Sequence, residues 1–166
     1  FNELKYLGIK VDNLSFNQYD SLASEEDLMR LFEVLSSVKD KNGNPAVLTA
    51  NTIVANPDFE KIRASNFAEY YYEPFTNTLN RYPAHAKSFT LWKEGISRGI
   101  FKPQFHGREH LNVARWMRAL QNDSGLARRA FNFEMFDLSE SLEISENSFM
   151  DTYNFQSENE LLIQIQ

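Results

Sequence analysis

The chain has 166 residues, 42% of them hydrophobic and 24% charged, with a net charge of −6 and no cysteine. Such a length suits one domain, 1–166, with a single core, and such a composition excludes wholesale disorder. The acidic balance argues against a nucleic-acid partner, which needs clustered Lys and Arg. The lack of cysteine excludes disulfides and thiolate metal ligands, so any metal here is held by nitrogen and oxygen.

In chain order, Ser24 followed three residues later by Asp27 is an N-cap signal. Leu28, Leu31, Phe32, Leu35 and Val38 then recur at helical spacing, which predicts an amphipathic helix over 25–39. A turn at Lys41–Pro45 leads into a short buried strand over 46–50. Asn56-Pro57 reads as an N-cap with proline at the first helical position, opening a helix to about Ala64. Tyr70–Tyr72 reads as a second strand, closed by Glu73-Pro74. Phe89, Trp92 and Ile96 mark a helix over 84–98 that ends at Gly99. A third strand is expected at 101–105, where Pro103 restricts it to a strand start, an edge or a bulge. A helix over 107–121 follows. No apolar run approaches the roughly 20 residues of a membrane span.

Alternation of this kind predicts an α/β fold with parallel strands covered by helices, either an open sheet or a barrel. In such folds the loops leaving the C-terminal ends of the strands share one face, where ligands bind. Asn51 follows the first strand, Glu73 the second and His106 the third, so these three are expected on one rim. Asn51 could equally be an ordinary turn residue, and Glu73 a solvated loop carboxylate. From Ala130 onward the chain carries carboxylates and no Lys or Arg, which reads as a solvated face anchored by Phe131, Phe133, Phe136, Leu138 and Leu142. Ser157 and Glu160 form a capping-box pattern for a last helix that breaks off in under two turns. With Phe1 rather than Met at the start, the expectation is a piece of a longer polypeptide.

Of three histidines, two are four residues apart, in His106-Gly-Arg-Glu-His110. On a helix this spacing puts both imidazoles on one face, where they can ligate one metal ion, with a third protein ligand still required. His110 also lies on the stripe with Val113, Ala114, Met117 and Leu120, as a core histidine would. The same run matches the reversed zinc-peptidase pattern, with Glu109 as general base. Against that stand Gly107 inside the motif and the capacity of Glu109 to complement a helix dipole. Arg108 is expected to contact substrate or a site carboxylate, so its replacement by Ala should impair activity and barely change the melting temperature. Trp92 and Trp116 sit in helical patterns and read as core residues; His85, near a helix start, reads as surface.

The run from Tyr19-Asp-Ser-Leu-Ala-Ser24, through Leu48-Thr-Ala-Asn51 and Ala55-Asn-Pro-Asp-Phe59, to Phe101–Asn112 resembles a bacterial branch of the polysaccharide deacetylase superfamily. The resemblance spans about residues 19–120 and implies part of a NodB-type, distorted (β/α) barrel. It implies a divalent metal, zinc foremost, held by His106 and His110. It also implies hydrolysis of an N- or O-acetyl group on a glycan, with Asn51, Glu73 and Arg108 as candidate substrate contacts. Two departures stand out. The superfamily's Ser or Thr after the first histidine is Gly107, and its paired aspartates, arginine–proline and Leu-x-His motifs have no counterpart. The resemblance places these, with the metal-binding carboxylate and the general base, outside the present chain. A metal-free carbohydrate-binding or scaffolding barrel is the alternative from another class, since fold does not fix function.

Overall fold

The computed structural model describes residues 2–9, 21–122, 125–136, 138, 149, 159 and 162. The final helix expected from Ser157 and most of the acidic segment lie outside these residues. The chain forms two compact units, one of residues 1–20, 57–72 and 110–166, the other of residues 21–56 and 73–109. No helix among the described residues is long and apolar enough to cross a membrane.

The first unit contains α1 (Asn2–Tyr6) and has its core around Trp116, Ile62, Leu111, Leu120 and Phe131, all buried. The second unit begins with α2 (Glu25–Ser37), whose N-terminus is the capping box expected from Ser24 and Asp27. The Ser24 hydroxyl and amide N–H both donate to the Asp27 carboxylate, at 2.7 and 2.9 Å, and the Asp27 amide donates back at 3.2 Å. These bonds, the hydroxyl's foremost, hold the Asp27 carboxyl below its ordinary range. A folded-state value below the unfolded one means that the unfolded chain takes up the proton more readily. The cap's contribution is therefore present above about pH 4 and is lost as pH falls through the folded value. Thermal unfolding should show Ser24→Ala less stable than wild type at neutral pH, with the difference shrinking below about pH 4. A difference that persists undiminished to about pH 2 would contradict this coupling.

Leu28 and Phe32 of α2 pack with Ile100 and Phe101 to form the second unit's core, supported by Ala50, Leu91 and Trp92. Two parallel strands lie against this core: β1 (Leu48–Ile53), and a partner considered below at residues 101–107. β1 begins two residues later than expected because Ala46 is held back in the turn, its N–H donating to the Leu35 and Val38 carbonyls. Asn51 is thus inside the strand and not after it.

Then comes β2 (Ala55–Pro57), where a helix start was expected. The Asn56 amide is engaged with Thr78, and Asp58 takes over as N-cap, accepting from the Lys61 N–H at 3.0 Å. α3 (Phe59–Ala64) follows. The second expected strand is displaced to β3 (Tyr72–Pro74), since Tyr70 and Tyr71 pack onto the first unit's core instead. β2 and β3 form a separate two-stranded sheet. α4 (Phe75–Arg81) is a helix that the sequence reading lacked.

The helix expected over 84–98 is a 3-10 turn at Pro83–His85 followed by α5 (Ser88–Ser97). The His85 ring is tied to the Ala23 carbonyl at 3.1 Å rather than standing free at the surface. The helix ends as expected at Gly99, whose φ of 71° is left-handed. β4 (Phe101–Gly107) completes the parallel pair. The last described helices are α6 (Val113–Gln121) and α7 (Gly125–Phe131). The fold is thus mixed α/β with a parallel two-stranded sheet, and Trp116 is fully buried while Trp92 packs on the second core.

Candidate functional site

β1 and β4 run in register from Leu48 opposite Phe101 to Thr52 opposite Phe105, and then Ile53 pairs with Gly107. His106 is the extra residue of a β-bulge at the C-terminal end of the strand. Bulges re-aim a side chain and are over-represented beside active sites. The His106 side chain is exposed. Gly107 has φ of 152°, a backbone region open to glycine and closed to other L-residues. A Cβ there would meet nothing nearer than 4.0 Å, so conformation and not space demands the glycine.

α6 starts at Val113, with Asn112 as its N-cap accepting from the Arg115 N–H at 3.2 Å. The two histidines are therefore not an i,i+4 pair on one helix, contrary to expectation. His106 is on a strand of the second unit, and His110, half-buried, begins the last segment of the first. Glu109 does not stand at a helix terminus either. Its side chain is 2% exposed, and both carboxylate oxygens accept from Arg108, whose Nε donates at 2.7 and 2.9 Å and Nη2 at 2.8 Å. A carboxylate so buried and so engaged is poorly placed to take a proton from water, which argues against the peptidase pattern.

Backbone bonds extend the rim beyond the bulge. The Val54 N–H donates to the Gly107 carbonyl, the Ala55 N–H to the Arg108 carbonyl, and the Phe75 N–H to the Val54 carbonyl. Segments 107–108, 54–55 and 73–75 are thus joined side by side, which brings His106, Arg108 and Glu73 to neighbouring chain ends in one unit. Glu73 is not a solvated loop carboxylate. It lies in β3, paired with Arg81, and accepts from the Thr78 hydroxyl at 2.8 Å, which in turn accepts from the Asn56 amide at 2.9 Å. Asn51 stands back from this rim by three residues, about 10 Å of strand.

Asn51 lies directly opposite Gln104, and Thr49 opposite Lys102. All four are exposed and, with the twofold alternation of a strand, share one face of the sheet. Lys102 and Gln104 were not singled out from the sequence, although they alternate with Phe101, Pro103 and Phe105 in a legible period of two.

No protein-family model matches the chain, and no curated protein or solved structure matches it.

Proposed function

We propose that the protein is a metal-dependent hydrolase of the polysaccharide deacetylase type, built on a distorted (β/α) barrel to which the β1–β4 pair belongs. The bulge carries the reading. It leaves His106 exposed at the C-terminal end of a parallel strand, where α/β folds bind ligands.

Two imidazoles and no thiol form a donor set that suits zinc. Among the described residues no three His, Asp or Glu side chains gather into a metal-holding group, so a carboxylate beyond them has to complete the set. A bound divalent ion supplies polarisation of the acyl carbonyl and a water of lowered pKa. The chain's own residues do the rest of what can be assigned: His106 and His110 hold the ion, the Arg108–Glu109 pair fixes the segment between them, and Asn51 contacts the glycan.

The test measures metal retained through dialysis and acetate released from an acetylated polysaccharide, for wild type, His106→Ala and His110→Ala. The complete protein should keep the metal and release acetate, each variant of it should lose both with an unchanged circular dichroism spectrum, and residues 1–166 alone should hold metal only weakly. Histidine variants that keep metal and activity would defeat the proposal. Glycan binding without metal or turnover in the wild type would assign the chain to the non-catalytic binding class.

A further inference from the structure

The β1–β4 sheet has two unlike faces. On one, Phe101 is packed edge-on against Phe32 and Trp92, with Ala50 beside them. The other carries Thr49, Asn51, Lys102 and Gln104, and it is open, with the exposed His106 at its C-terminal end. Parallel sheets are ordinarily covered on both faces, and their strands are apolar throughout. A polar open face on a parallel pair therefore needs an occupant.

Its chemistry specifies one. Asn51 and Gln104 stand side by side, each presenting a carbonyl acceptor and two amide donors, the complement of sugar hydroxyls that both donate and accept. Thr49 adds a hydroxyl one step along. Neither strand carries a carboxylate, although the whole chain has a net charge of −6. Lys102 has no ion-pair partner among the described residues, so its charge stands on this face uncancelled by its own unit.

We propose that this face binds an anionic glycan, with Asn51 and Gln104 bonding ring hydroxyls and Lys102 pairing with a uronic-acid carboxylate. The inference rests on the carbohydrate reading above and adds that the substrate is acidic.

Equilibrium binding of the whole protein, in chelator to silence any hydrolysis, is compared for a uronic-acid oligosaccharide and the neutral hexose oligosaccharide of the same linkage. The acidic ligand should bind more tightly, and added salt should erode that preference. Lys102→Ala should weaken acidic binding about tenfold, the size of one charge-assisted contact, and leave neutral binding unchanged. Asn51→Ala and Gln104→Ala should weaken both ligands. Because these side chains are exposed, thermal unfolding should not change, and this checks that the variants remain folded. Equal affinity for the two oligosaccharides, or full acidic binding by Lys102→Glu, overturns the inference. Deacetylation of a neutral glycan with no acidic preference would remove this inference and leave the hydrolase standing, whereas tight acidic binding without turnover would do the reverse.

Discussion

Arg108→Ala should destabilise the protein by about 3–5 kcal/mol, the cost of leaving a buried charge without its partner. Glu109 is withdrawn from water almost completely, and three N–H···O contacts from one guanidinium compensate its carboxylate. Arg108 itself is largely covered, so solvent screening offers little relief. Removal of the guanidinium forces the carboxylate to break out of its packing, which disturbs the segment that follows the bulge. Arg108→Lys should fall in between, since an ammonium cannot present the planar fork that engages both oxygens. Arg108→Met combined with Glu109→Leu should recover most of the loss, because well-packed apolar pairs replace buried ion pairs at little cost. Chemical denaturation of the four proteins decides the matter. A change under about 0.5 kcal/mol for Arg108→Ala would show that the carboxylate reaches water, and would restore the contact to substrate or a site carboxylate expected from sequence.

Gly95→Ala should also be destabilising, although alanine is the better helix former by about 1 kcal/mol. Gly95 is buried in the last turn of α5, where the helix lies on Phe32 and Phe101. A methyl group there would come to 2.5 Å from Phe32 Cζ and 2.8 Å from Phe101 Cβ. The first atom belongs to a ring that can tilt. The second is fixed to the backbone of β4 and cannot move without the strand. Overpacking of this kind costs about 1–3 kcal/mol, which outweighs the gain in helix propensity. The displacement would be transmitted to the strand that carries Lys102, Gln104 and His106. Gly95→Ala should thus lower the unfolding midpoint, whereas a rise would mean that α5 can slide off without cost.

The elements legible in the sequence were those with a strong local signal. The capping box at Ser24, the glycine stop at Gly99 and the apolar period of α2 act within a few residues, and they appear where they were expected. Boundaries set by distant partners were not legible. The Asn56 amide reads as an N-cap only so long as Thr78 is unknown, and α4 is short and opens without a side-chain cap. The His106–His110 spacing suggested a helix because 3.6-residue periodicity was the simplest way to bring two rings together. The helix starts only at Val113, and the Gly107 backbone conformation belongs to a bulged strand end. Arg108 shows the same limit. Its neighbour in sequence is its partner in space, but only burial, which no local pattern reports, makes that pair structural where a contact to substrate or a site carboxylate was expected.

Pro103 has a consequence for how the molecule behaves in company. The Ile100 carbonyl accepts from Leu48 of β1, so by alternation the backbone groups of Lys102 and Gln104 face β1 and those of Pro103 face away. The missing N–H of Pro103 therefore falls at the midpoint of the outer edge of β4. A strand from another molecule arriving there would find no donor at that position, and the adjoining lysine would resist burial. Unprotected edges are where sheets template aggregation, and a central proline with a charged neighbour is a common protection. Among the described residues, β4 can therefore present its polar face to solvent while its edge offers a poor template for another strand.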